Sequence, residues 1–226
     1  MNDVSVKPRR LGLPAIILVY IVFLAIWFVR ELWLRPIFSA SLGAWGFEVC
    51  ETATKLLVWT APAVFGIKYF KGDMAITLRE MLTGKVKWLK YLLILLGFAA
   101  YNVIGAILIN GKLSISENFS LPPLISVVLF VGVTEEAVFR GFFLNALLKK
   151  VKTWYAVLIT ALLFLIIHFP IWIHEGVFVD SVLSGGFVII MALSVIFSWA
   201  FIKSRNIFVP VILHMSWNLL VTLFFG

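Results

Sequence analysis

Cysteine occurs once in 226 residues, at Cys50, so no disulfide can close within the chain and no cysteine-based metal site can form. Charge is also scarce: Asp, Glu, Lys and Arg make up 13% of the chain, against about 25% in soluble domains. That deficit excludes an ordinary cytosolic globule. Disordered, collagen-like and disulfide-stapled classes fall with it. Hydrophobic residues fill the space at 62%, with 21 Phe, 9 Trp and 5 Tyr and a mean hydropathy of +1.07. Nineteen basic residues stand against eleven acidic ones, a net charge of +8. Such an excess would ordinarily suggest nucleic acid. Here it clusters in short breaks between apolar runs, where it reads as a topology signal. The expected partner is membrane lipid, and no nucleic acid is expected.

A crossing needs about 20 mostly apolar residues. Runs of that kind extend over 11–29, 45–67, 91–111, 118–148, 153–173, 181–202 and 206–226. The first lies too close to its basic flank to escape comparison with a signal peptide. It is too long for one and no small-residue cleavage site follows, so it reads as a retained anchor. The second run is the least clean, because Glu48, Glu51 and Lys55 occupy its first half. Alternating sides places fourteen basic residues together, from Lys7, Arg9 and Arg10 to Lys203 and Arg205, and leaves three, Arg30, Arg35 and Lys112, opposite. By the positive-inside rule the N-terminus is cytoplasmic and the C-terminus outside the cell membrane. The fold class expected is all-α: a polytopic membrane helical bundle of about seven transmembrane helices, with residues 1–226 forming one integral-membrane domain.

Smaller features carry smaller expectations. Asp73 can cap a short helix whose Met74, Leu78, Met81 and Leu82 share a face toward the inner leaflet, and Gly84 can end it. Glu51 and Lys55 are i and i+4, an expected ion pair near the outer surface. The nine Trp read as interfacial anchors. Asn118-Phe119-Ser120 matches a glycosylation sequon. His174-Glu175 begins like the zinc motif HExxH, but Phe178 stands where the second histidine belongs, so it is rejected.

The fourth run holds the anomaly. Glu135, Glu136 and Arg140 fall within six positions, and unpaired they would oppose insertion by roughly 8–10 kcal/mol. That is close to the whole stability of a typical domain, so they must face the bundle interior and find partners. Glu136 and Arg140 are one helical turn apart and can pair. Glu135 is rotated about 100° away and stays free. Counting from the basic residue that ends each run puts Glu135 at about 21 Å, His168 at about 24 Å, Asn218 at about 20 Å and His214 at about 14 Å from that end. Those depths place acid, imidazole and carboxamide groups from three helices in one slab. Glu135 with His168 can activate a water. His214 and Asn218, one turn apart, can donate to the oxyanion formed when that water attacks a carbonyl. The chemistry is amide hydrolysis without a covalent intermediate.

The same residues spell three short patterns. Glu135-Glu136-Ala137-Val138-Phe139-Arg140 reads EExxxR, Phe164-Leu165-Ile166-Ile167-His168 reads FxxxH, and His214-Met215-Ser216-Trp217-Asn218 reads HxxxN. In that order, each within a hydrophobic run, they resemble the CAAX prenyl endopeptidase and bacteriocin-processing (CPBP, or abortive-infection) family of intramembrane proteases. The resemblance covers about residues 121–226. It implies an α-helical intramembrane endopeptidase in which Glu135 and His168 activate water, His214 and Asn218 bind the oxyanion, and Glu136 and Arg140 support them. Eukaryotic members remove the C-terminal tripeptide of prenylated proteins, and many prokaryotic ones are linked to bacteriocin maturation or immunity. The substrate implied is a membrane-associated peptide or protein, lipidated or not.

No cofactor is expected on this reading. An alternative holds zinc on Glu135, His168 and His214. A further alternative is non-enzymatic: an immunity or scaffold protein on the same fold, or a proton-coupled transporter using these groups as a relay.

Overall fold

The structure, a computed structural model, describes residues 10–226. Lys7 and Arg9, counted above as cytoplasmic, lie outside the described residues. Nine helices and no strand occur among the described residues. They are α1 (Leu13–Ser41), α2 (44–69), α3 (Leu78–Thr83), α4 (Leu89–Asn110), α5 (124–147), α6 (Thr153–His174), α7 (Phe178–Leu183), α8 (Gly186–Ser204) and α9 (Phe208–Phe225). Five of them, α1, α4, α6, α8 and α9, are long and apolar enough to cross a membrane. The remaining two runs of the sequence reading, α2 and α5, are continuous helices of about 39 and 36 Å at 1.5 Å per residue. Both carry buried carboxylates, Glu48 and Glu51 in α2 and Glu135 and Glu136 in α5.

The first helix is longer than its apolar run. It continues past Val29 to Ser41, so Arg30 and Arg35, expected in an outer loop, are helical, and Arg30 is buried. A widened, π-type turn spans Arg30–Leu34 just before Pro36, and another spans Leu56–Thr60 just before Pro62. The cause is the same in both: proline cannot donate to the carbonyl four residues back and its ring pushes that carbonyl away, so the ladder opens by one residue.

Helix α5 is the axis of the bundle. It packs on α2, α6, α8 and α9, while α9 also packs on α4 and α8. Every residue from Thr134 to Leu147 except Ala137 is buried. The lipid side is the mirror image: Leu18, Leu93 and Leu108 are 61%, 73% and 78% exposed, as apolar side chains facing hydrocarbon should be. A charged trio can therefore sit in α5 without meeting lipid. Gly132, one turn before Glu136, lets α9 approach. A Cβ there would stand 2.7 Å from Met215 Cγ and 3.3 Å from the Val211 carbonyl oxygen, so only glycine allows this closeness.

The connection between α2 and α4 differs from the sequence expectation. Thr77, not Asp73, caps the short helix, accepting from the Glu80 N–H at 3.2 Å, and Gly84 ends it as expected. Residues 74–76 are held instead by Asn145 of α5, which accepts from Ile76 N–H at 2.7 Å and donates to the Ile76 carbonyl at 2.8 Å. Met74, Ile76 and Met81 are consequently buried against the bundle rather than turned to the leaflet. Asp73 is drawn away from a capping role because it accepts from the Leu11 N–H at 2.9 Å and pairs with Lys150.

The Lys150 ammonium, and then the Leu11 N–H, hold the Asp73 carboxyl below the usual aspartate range. A carboxyl lowered on folding stabilises the protein above its unfolded pKa, and that contribution is lost as the pH falls through the lowered value. Asp73→Asn is thus expected to lower the thermal midpoint at neutral pH. The difference from wild type should shrink as the pH drops below about 4. A midpoint difference that persists unchanged in acid would show that the Lys150 pair contributes nothing.

Candidate active site

Helix α6 breaks where chemistry is expected. Pro170 cannot donate to the Ile166 carbonyl, and the helix interrupts at Ile167 and His168 before resuming at Phe169. The His168 N–H turns to the Leu165 carbonyl at 3.0 Å instead of the Phe164 carbonyl. The Phe164 carbonyl is taken by the His168 ring, Nδ1 at 2.6 Å. A carbonyl can only accept, so Nδ1 carries the proton and Nε2 keeps its lone pair. A proline two residues downstream thereby sets the tautomer of a candidate base.

The Phe164 ring does as much as its carbonyl. Its centroid lies 4.7 Å from the Arg140 guanidinium and 6.0 Å from the His214 ring. Phe197 of α8 covers Arg140 at 5.3 Å and stacks on His214 at 4.9 Å. Arg140 donates to Glu136 Oε1 at 2.9 Å and, through its other terminal nitrogen, to the Ser194 hydroxyl at 2.8 Å and carbonyl at 3.0 Å. Both Glu136 and Arg140 are fully buried, which is tolerable only because each has several partners.

His214 stands between the two glutamates. Its Nδ1 is 2.8 Å from Glu136 Oε1, and its Nε2 is 3.9 Å from Glu135 Oε2. The second distance is too long for a direct hydrogen bond and short enough for one water to touch both atoms. Glu135 Oε2 is buried and has no hydrogen-bond partner among the described residues, so it is the acceptor such a water would satisfy. The other oxygen, Oε1, faces Lys55 Nζ of α2 at 4.0 Å.

The structure therefore gathers Glu135, Glu136, Arg140 and His214, with Lys55 added. His168 makes no ion pair with Glu135 within contact distance, but Glu135, His214 and Lys55 are its ionisable neighbours. Asn218 departs from expectation. Its side chain donates to the Val127 carbonyl of α5 at 2.9 Å rather than joining His214, because one helical turn separates them and α5 offers a free acceptor there.

Two further expectations are overturned. Glu51 pairs with Arg30 of α1, not with Lys55, because α1 brings a guanidinium to Glu51 and α5 brings Glu135 to the ammonium. Trp27 and Trp59 are buried rather than interfacial, because they flank that ammonium at 5.7 Å each. Glu175 is engaged by Arg35 at 3.4 Å. Lys55, Ser194 and Phe197 were missed as site residues. The one advance signal was polar residues, Lys55 and Ser194, standing inside apolar runs.

Residues 117–220 match the family model for Rce1-like type II CAAX prenyl endopeptidases. This region belongs to the CAAX protease family. The chain matches no curated protein and no solved structure. CAAX proteases cleave peptides within the membrane, and the five apolar helices fit that setting. Chain segments outside the match contribute Arg30, Lys55, Trp27 and Trp59, so the CAAX region is completed by α1 and α2.

Zinc would need Glu135, His168 and His214. Both imidazoles have Nδ1 backed by an acceptor and Nε2 open, which is how ligating histidines are held. Among the described residues, however, no three His, Cys, Asp or Glu side chains stand close enough together to hold a metal ion.

Proposed function

We propose that the chain is an intramembrane endopeptidase that hydrolyses a peptide bond of a membrane-associated or lipidated peptide, using water activated by Glu135 and His168. The observation that carries this reading is the orphaned Glu135 Oε2, buried and 3.9 Å from His214 Nε2 inside a CAAX-type region. Glu135 takes one proton as the water oxygen bonds to the substrate carbonyl carbon, and the carbonyl electron pair moves to oxygen. His214, its Nδ1 held by Glu136, and Asn218, released from Val127, donate to that oxyanion. Collapse breaks the C–N bond, and the proton returns from Glu135 to the leaving amine. His168, its lone pair aimed by the Phe164 carbonyl, steadies the water.

We also infer that α2 and α5 cross the membrane, giving seven crossings with the N-terminus cytoplasmic and the C-terminus outside. The distribution of basic residues supports that topology.

The test uses an internally quenched farnesylated peptide ending in cysteine, two aliphatic residues and a variable residue, with purified protein in detergent or vesicles. Release of the C-terminal tripeptide, seen by mass spectrometry, is expected. Activity should survive strong chelation, and the purified protein should carry well under one zinc per chain. Loss on chelation with recovery on adding zinc would move the mechanism to zinc on Glu135, His168 and His214.

A further inference from the structure

Lys55 carries a positive charge into the middle of a hydrophobic run, and the mechanism above does not use it. Its placement is specific. The ammonium lies over the rings of Trp27 and Trp59, each 5.7 Å away. Aromatic faces attract a cation without neutralising it or consuming its N–H donors. Nζ makes no hydrogen bond among the described residues, and its one ion-pair neighbour is Glu135 Oε1 at 4.0 Å. Among the described residues the buried arginines are engaged elsewhere: Arg140 by Glu136 and Ser194, Arg30 by Glu31 and Glu51. His214 gives its Nδ1 to Glu136. Beside the His214 imidazole at its other oxygen, Glu135 thus has Lys55 as its lysine or arginine counter-charge.

The arrangement also separates the two oxygens of Glu135. Oε1 turns to the ammonium and Oε2 to the imidazole. A carboxylate drawn toward a cation through one oxygen presents the other away from it, and that is the oxygen left open for water. We propose that Lys55 is a positioning residue for the hydrolytic reaction, the cation that balances Glu135 and aims its Oε2 at the water site. The two tryptophans serve as the cradle that keeps the ammonium there. The inference rests on Glu135 being the base.

Two measurements test it on the full-length protein. The first is the kinetics of Lys55→Met and Lys55→Arg on the farnesylated quenched peptide. Lys55→Met is expected to lower kcat roughly 10²-fold, the scale of a misplaced catalytic group, with KM unchanged. Lys55→Arg should recover most of the loss, since it restores the charge. The second is the thermal midpoint of four proteins: wild type, Lys55→Met, Glu135→Gln and the double variant. Lys55→Met should lower the midpoint more when Glu135 is present than when it is Gln.

An unchanged kcat in Lys55→Met, equal losses in the Met and Arg variants, or equal midpoint shifts in both backgrounds would each overturn the proposal. Should Lys55→Met fail to accumulate alone, accumulation of the double variant would itself report the pairing, equal failure of the double variant would overturn it, and Lys55→Arg would still give the kinetics. Failure of the wild type to cleave the peptide would sink the protease reading instead, and the midpoint comparison would still decide the pairing.

Discussion

Glu135→Gln is expected to abolish cleavage while leaving the protein in the membrane at near-normal abundance. The substitution keeps the shape of the side chain and removes its ability to accept a proton. Loss of a general base alone accounts for about 10²–10⁴-fold. Here Oε2 is also the buried oxygen that would hold the water, so binding and activation of the nucleophile fail together. Folding should survive, because the glutamine keeps the side chain's volume and the Lys55 ammonium it leaves behind keeps the faces of Trp27 and Trp59. His168→Ala should behave alike, since it removes the lone pair that the Phe164 carbonyl positions. Rates on the farnesylated peptide, normalised to protein in the membrane fraction, decide the matter. Near-normal turnover in either variant would refute the assignment. A Glu135→Gln strain that keeps its biological effect would favour an immunity or scaffold role.

Arg140→Ala should act in the opposite way, on abundance before activity. Glu136 and Arg140 are both fully buried, and Glu136 Oε1 is shared between Arg140 and His214. Removing the arginine leaves the carboxylate with the imidazole alone in a dry interior. Breaking a buried pair on one side costs about 3–5 kcal/mol, a large share of the 5–15 kcal/mol that keeps a typical domain folded. The loss here extends further, since the Ser194 acceptors and the faces of Phe164 and Phe197 lose their cation too. A severe drop of the protein in membrane fractions is therefore expected by immunoblot. Adding Glu136→Gln should restore part of the abundance, because no charge is then left unpaired, without restoring cleavage. Undiminished accumulation of Arg140→Ala would show that the pair is dispensable.

Two kinds of interaction lie behind these outcomes, and they were not equally legible. The Glu136–Arg140 pair follows from spacing alone, because residues four apart share a helix face whatever surrounds them. The same holds for the five helices long and apolar enough to cross a membrane, each a property of a local stretch. The burial of α5 was also implied, since three ionisable groups cannot face hydrocarbon.

Other features required neighbours that no local pattern names. Glu51 and Lys55 satisfied the same i, i+4 rule, yet α1 supplied Arg30 to one and α5 supplied Glu135 to the other. Asp73 was a sound cap by composition until Leu11 and Lys150 claimed it. His214 and Asn218 shared a face, but α5 offered them Glu136 and Val127 separately. Periodicity along one helix decides which side chains point together. Which partner they meet depends on how the apolar faces and the bare flank of Gly132 let the helices close. That is settled only when the whole bundle packs.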